Sequence, residues 1–244
     1  MQLKKNNLSV CLSPALFPFY NNDDSIIVIV DLLRATSVIS TAFEHGIKDI
    51  IPVKSLDEAK AYQNIPNHII AAERNTKIVE GFHFGNSPYH YMETNIIDKT
   101  LVLTTTNGTK AIHLAKENIV VTASFININA ITEYLKQQDK DVVILCSGWK
   151  NRFNLEDTIF AGTLSNFLID TNLFKSNCDS LLASQNLYMS GKTNLFEFLD
   201  TSAYRNRNNS LEVIRDTKFC LNPTFKSNII PIFKKDRLIP LKVG

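Results

Sequence analysis

With 244 residues, 26 basic against 24 acidic side chains and a formal charge of +2, the chain is large enough to fold without disulfide or metal staples. Its charge is too balanced for a nucleic-acid footprint. Hydrophobic residues make up 44% and charged residues 20%, which excludes a disordered chain, and no run approaches the roughly 18 apolar residues of a membrane span.

Lys4 and Lys5 precede a short apolar stretch that Pro14 and Pro18 break, without a small-residue cleavage site, so a signal peptide is not expected. Ile26–Val30 is an unbroken β-branched run, the pattern of a strand buried on both faces. Ala35, Val38, Ile39, Ala42 and Phe43 then recur at helical spacing, with Gly46 where the helix would be capped. Residues 47–53 predict the next strand, Ser55-Leu-Asp-Glu58 a capping box opening a short helix, and 68–72 a third strand. From 73 to 91 no period holds, which predicts a long structured loop. Strands at 101–105, 119–123 and 142–146 then alternate with helices at 109–116, 129–137 and 155–171. After residue 177 one or two helices run to 215, followed by short strands at 229–233 and 238–241. This alternation predicts an α/β protein with a largely parallel sheet, organised as a single domain over residues 1–244. Cys11, Cys146, Cys178 and Cys220 are scattered without a C-x-x-C, so reduced thiols in a cytoplasm are expected.

Only eight glycines occur. Gly81, Gly85, Gly108, Gly148 and Gly162 crowd one window, where positive φ or close backbone approach is expected. Ligands of open α/β sheets bind beyond the carboxyl ends of the strands, and four polar clusters fall at such places. In Asp31-Leu-Leu-Arg34-Ala-Thr36-Ser37 the Asp suits Mg²⁺ or nucleophilic attack and the Arg suits phosphate; a helix cap and a surface arginine read equally well. Glu73-Arg74 precedes Gly81-Phe-His83-Phe-Gly85-Asn86-Ser87-Pro88, a tight path with donors at its apex, or else a rigid surface loop.

Thr104-Thr105-Thr106-Asn107-Gly108-Thr109, between a strand and a helix, suits a phosphate cradle but is neither a Walker A loop nor a G-x-G-x-x-G fingerprint. A capped helix with an Asn-Gly turn is its plainer explanation. Cys146-Ser147-Gly148 is followed by Glu156-Asp157, adjacent acids that either bind a divalent ion or complement a helix dipole. Cys146 and Arg152 also match the C-x5-R loop of cysteine phosphatases, although Phe153 replaces the usual hydroxyl. No histidine pair has metal-ligand spacing, and His83 alone lies within a cluster.

In this order DLLRATS (31–37), AER (72–74), GFHFGNSP (81–88), TTTNGT (104–109) and CSG with ED (146–157) resemble the 2-phosphosulfolactate phosphatase family, the ComB-like proteins. The resemblance spans residues 26 to 165 and continues more weakly to Cys220-Leu221 and Ile230-Pro231. It implies a layered α/β/α arrangement around a largely parallel or mixed sheet. It also implies Mg²⁺-dependent hydrolysis of the phosphate ester of a 2-hydroxycarboxylic acid, with 2-phospho-3-sulfolactate giving 3-sulfolactate and phosphate, a step of coenzyme M biosynthesis where that coenzyme is made. On this reading Asp31, Arg34, Glu73 and Arg74 are the catalytic candidates. Asn86, Ser87, Thr105, Thr106, Asn107, Gly108, Thr109 and Gly148 bind substrate, while Asp31, Glu73, Glu156 and Asp157 are the candidate ligands of Mg²⁺, or of Mn²⁺ in its place.

The chain departs from the family pattern at His83, where an Asp is usual, at Ala72 and Thr76 near Glu-Arg, and at Ala203-Tyr204, where a Ser-His pair is common. A histidine touching the metal would shift preference from Mg²⁺ toward Mn²⁺. Two other functions stay open. A cysteine phosphatase using Cys146 and Arg152 would ignore EDTA and fail on Cys146→Ser, and a non-catalytic protein would bind anionic metabolites without turnover. The expected partner is a small anionic phosphorylated substrate, with no nucleic acid and no membrane, and a homodimer is left open.

Overall fold

The computed structural model describes residues 5–74 and 77–243. The strands are β1 (Asn6–Cys11), β2 (Ile26–Val30), β3 (Asp49–Pro52), β4 (His68–Arg74), β5 (Lys77–Ile78), β6 (Thr100–Thr104), β7 (Ile119–Thr122), β8 (Val142–Cys146), β9 (Phe174–Lys175), β10 (Ile229–Lys234) and β11 (Arg237–Lys242). The helices are α1 (Ala35–Glu44), α2 (Leu56–Lys60), α3 (Pro88–Met92), α4 (Gly108–Leu114), α5 (Ile128–Lys136), α6 (Leu155–Asp170), α7 (Asp179–Gly191), α8 (Leu195–Phe198), α9 (Ala203–Arg207) and α10 (Leu211–Leu221). No helix among the described residues is long and apolar enough to cross a membrane.

The described strands form one eleven-stranded sheet in the order β5-β4-β6-β3-β11-β10-β7-β2-β8-β1-β9. Two blocks of it are parallel, β4-β6-β3 on one side and β7-β2-β8-β1-β9 on the other. Between them stands the hairpin β10–β11, antiparallel to both neighbours. Its two-residue turn, Lys235-Asp236, has positive φ at both positions, the geometry whose twist matches paired strands. Strands β2, β6 and β8 are buried along their whole length, which explains their unbroken apolar runs.

Helices cover both faces, giving the layered α/β/α arrangement. On one face Val28, Val30, Leu8 and Ile144 pack with Ile131 of α5 and with Ile159 and Leu164 of α6. On the other, Ile27, Ile29 and Leu145 share a core with Ile50, Leu101 and Leu103, together with Val38 and Ile39 of α1 and Ile112 of α4. That second core joins the two parallel blocks and brings the loops at their strand ends to one cleft.

Ser55 caps α2, accepting from the Glu58 N–H at 3.1 Å while Glu58 Oε2 accepts from the Lys54 N–H at 3.0 Å. Gly46 follows α1 at φ +90°. Other expectations need correction. The apolar stretch before Pro14 contains β1, inserted between β8 and β9. The loop at 73–91 carries β5 and α3. Beyond residue 177 there are four helices, because Asn194, Ser202 and Ser210 each accept a backbone N–H three residues on, at 3.2–3.3 Å, and so restart the helix. Thr76 lies outside the described residues.

Candidate active site

Strand β2 delivers Asp31 at its carboxyl end, and α1 begins four residues later. The Asp31 backbone carbonyl accepts from the Thr36 N–H at 2.9 Å, while its side chain faces a cleft of about 470 Å³. Gly108, at the start of α4, packs against this carboxylate: a Cβ there would stand 2.7 Å from Asp31 Oδ2, so only glycine lets the helix approach. Glu73, Asn86, Thr105, Thr106, Asn107, Gly148 and Glu156 line the same cleft. The four sequence clusters therefore meet at one place. A larger groove of about 930 Å³, against α8 and α10, takes in none of them.

Several candidates are held in contacts of their own. Arg34 is 3% exposed; its Nη1 donates to Asp216 of α10 and its Nη2 to Glu73. It is not a free guanidinium fork but the middle of a buried acid–base–acid triad. Ser87 donates its hydroxyl to the other Asp216 oxygen at 2.9 Å, so it orients that acid instead of facing the cleft. Thr109 and Thr105 bond reciprocally: Thr109 N–H donates to Thr105 Oγ1 at 3.1 Å and Thr105 N–H to Thr109 Oγ1 at 3.3 Å. This box leaves Thr106 and Asn107 as the more available part of the loop. The Arg74 side chain lies outside what the structure describes.

Asp157 ties two strand ends together. Its Oδ1 accepts from the Leu32 N–H at 2.8 Å, and its Oδ2 accepts from the Gly148 N–H at 3.0 Å and from the Asn154 amide at 2.9 Å. Burial pushes its pKa well up, with the neighbouring charges of Asp31 and Glu156 adding to the effect. Burial likewise raises Asp31 to about 6 and Glu156 to about 7. Glu73 and Asp216 are also raised by burial, against the opposing pull of Arg34. The cleft thus concentrates acids whose ionised forms disfavour one another, a site that welcomes a cation.

Oxygen-only donors suit a hard ion such as Mg²⁺. Asn86 Oδ1 and Asn154 Oδ1, on two residues lining the cleft, are buried without a hydrogen-bond partner among the described residues. No group of three or more His, Cys, Asp or Glu side chains among the described residues forms a ready cage. Mg²⁺ binds through one or two carboxylates plus phosphate oxygens and keeps several waters, and Asp31 and Glu156 are the carboxylates lining the cleft that would serve it.

Two expectations are corrected here. Cys146 is fully buried, its thiol is pushed well up by burial, and it does not line the cleft; Arg152 is exposed and does not line it either. A nucleophilic cysteine needs its thiolate accessible. Cys146→Ser is accordingly expected to keep kcat/KM within about threefold of wild type, and loss of turnover in a folded variant would restore the cysteine mechanism. His83 is exposed, takes the Ile70 N–H on its Nδ1 at 3.1 Å and stays outside the cleft lining, so it does not reach a metal there.

Other lining residues were not among the sequence candidates. Trp149, Lys150 and Asn154 follow Gly148, and Tyr204, Arg207 and Asn208 come from α9 and its C-cap. The signal for the first group was present, since the chain's single tryptophan stands directly after the Gly148 of a strand-end cluster.

The comparisons agree with this geometry. The model of the family described as 2-phosphosulpholactate phosphatase matches residues 11–236, which takes in every strand from β2 to β10. A protein of Caldanaerobacter subterraneus subsp. tengcongensis named probable 2-phosphosulfolactate phosphatase is 35% identical over 212 residues, covering 85% of this chain and 87% of the relative. Proteins of the same name from Thermotoga maritima (37% identical, 79% of this chain and 82% of the relative) and Clostridium botulinum (32%, 89% and 92%) are similar over comparable lengths. With near-complete coverage, and with four polar clusters gathered round one acidic cleft, the chain belongs to the 2-phosphosulfolactate phosphatase family of phosphoric monoester hydrolases.

Proposed function

We propose that the chain hydrolyses the phosphate ester of a 2-hydroxycarboxylic acid, 2-phospho-3-sulfolactate or a close relative, to the hydroxy acid and phosphate, with Mg²⁺ as cofactor. The observation that carries this reading is the convergence of Asp31, Glu73 and Glu156 with the neutral donors of Asn86, Thr106 and Asn107 on one cleft sized for a small metabolite.

Phosphoryl transfer depends chiefly on positioning and charge neutralisation. Asp31 and Glu156 would hold the ion, which when bound would supply positive charge for the phosphoryl oxygens and a water of lowered pKa. The chain's own groups do the rest. The Arg34 triad fixes the Glu73 carboxylate at the cleft wall. Asp157 locks the turns at Leu32 and Gly148, so the ends of β2 and β8 keep their spacing. Burial pushes the pKa of the Tyr204 hydroxyl upward, so it stays protonated beside the Arg34 triad.

The test is a panel of phosphorylated hydroxy acids assayed for phosphate release with EDTA and with Mg²⁺ restored. Turnover abolished by EDTA and recovered by Mg²⁺ is expected. Turnover indifferent to EDTA would overturn the metal assignment, and binding without turnover at any metal concentration would overturn the enzymatic one.

A further inference from the structure

If the substrate carries a phosphate and at least one further acidic group, the site needs cations to receive them, and among the described side chains the candidate Arg34 does not supply one. Arg34 is spent on Glu73 and Asp216. Among the described residues lining the cleft, the charged groups are the acids Asp31, Glu73 and Glu156 and just two cations, Lys150 and Arg207.

These two cations come from distant parts of the chain and meet on one ring. The Arg207 guanidinium lies 4.0 Å from the centroid of Trp149, and Lys150 Nζ lies 4.7 Å from it. The indole attracts both, and so holds together two charges that would repel each other. Lys150 and Trp149 are presented by one tight turn. Gly148, Lys150 and Asn151 all have positive φ, at +59°, +52° and +61°. At two non-glycine positions that conformation costs free energy, and it persists only where the surroundings impose it. Here Trp149 and Arg152 exchange backbone hydrogen bonds at 2.9 and 3.1 Å, and the Lys150 N–H donates to Asn107 Oδ1 at 3.1 Å. A Cβ on Gly148 would lie 2.2 Å from the Arg152 carbonyl oxygen, so the turn requires glycine. Helix α9, capped by Ser202, supplies Arg207 from its last turn and Tyr204 from its first.

We propose that Arg207 and Lys150, gathered over Trp149, receive the substrate's second anionic group, carboxylate or sulfonate, while the phosphate lies against Asp31, Thr106 and Asn107. The inference rests on the phosphatase reading. It makes this pair the determinant that separates phospho-acids from ordinary phosphate esters. Arg207 also lies near enough to Glu156 to lower its pKa, so simple neutralisation of that acid is the competing role.

The experiment compares wild type, Arg207→Gln, Lys150→Gln and, as a charge control outside the cleft, Lys218→Gln. The substrates are 2-phospho-3-sulfolactate, 2-phosphoglycerate and glycerol 2-phosphate, the last bearing the same secondary ester without an acid. For each cleft variant KM for the phospho-acids should rise by about tenfold or more, with kcat and the glycerol 2-phosphate KM within about threefold. A loss on both acids assigns the carboxylate, and a loss confined to the sulfonated one assigns the sulfonate. Equal losses on glycerol 2-phosphate, or no loss beyond that of Lys218→Gln, would overturn the proposal. Calorimetric binding of 3-sulfolactate decides the matter without turnover. Roughly tenfold weaker binding by Arg207→Gln supports the pair even if no phosphate is released, a result that would sink the phosphatase reading alone. Undiminished binding, or none by wild type, overturns the pair.

Discussion

Asp31→Asn is expected to lower kcat on the order of a thousandfold in a protein that still folds. The carboxylate stands at the end of a fully buried strand and faces the cleft, in space that the missing Cβ of Gly108 keeps open for it. Asn keeps the shape and one acceptor but loses the charge that a cation or a phosphoryl group would meet. Stability should move the other way. Burial raises Asp31 to about 6 from 3.8, so ionising it disfavours the folded state. For an acid whose folded pKa is raised, stability falls as pH climbs from the unfolded value to the folded one, and then levels. In EDTA at pH 8 the Asn variant should therefore match or exceed wild type in Tm, with any gap closing below about pH 4. Near-normal kcat would end the candidacy of Asp31, and a Tm deficit at pH 8 would show the carboxylate to be structural.

Arg34→Gln is expected to cost about 3–5 kcal/mol, a fall in Tm of roughly 6–20 °C for a chain of this size. The arginine is buried between Glu73 and Asp216, and its removal takes the partner cation from the buried Asp216 carboxyl. Asp216 is fully buried and Ser87 alone would remain on it. Adding Asp216→Asn to Arg34→Gln should recover part of the loss by removing the stranded charge. Arg34→Lys should behave closer to the Gln variant than to wild type, because one ammonium cannot reproduce a planar fork bonded to two acids. Thermal and urea unfolding measure all of these. An unchanged midpoint together with a raised KM would make Arg34 a substrate contact after all.

These outcomes bear on how much a bare sequence discloses. The strands were legible because parallel strands covered on both faces must be apolar throughout, as Ile26–Val30 and Val142–Cys146 are. The polar clusters were legible because such strands end at a ligand crevice. Whether a polar residue beside that crevice faces into it or away from it was not. Arg34 and Ser87 turn inward because Asp216, some 130 to 180 positions away in the sequence, packs beneath them. Tyr204 and Arg207 could not be found by spacing, since α9 is a five-residue helix whose neighbours across the cleft come from the ends of β2 and β8. Strand β1 escaped notice for another reason. In Asn6–Cys11 polar residues interrupt the apolar ones, and only its seat between β8 and β9 makes it a strand.

The hairpin β10–β11 gives the protein a direction in time. Translation runs from N- to C-terminus, so the two strands that stand at the middle of the sheet are made after every other strand. Until they emerge from the ribosome, β7 and β3 are open edges at Val121 and Ile50, each presenting unpaired backbone to any neighbouring chain. The two parallel halves are therefore stitched into one sheet late, by the pair Ile232–Val121 on one side and Leu238–Ile50 on the other. A nascent chain of this kind passes its whole synthesis with its central seam unsewn, and unpaired strand edges of that sort are where a partly made chain is prone to aggregate.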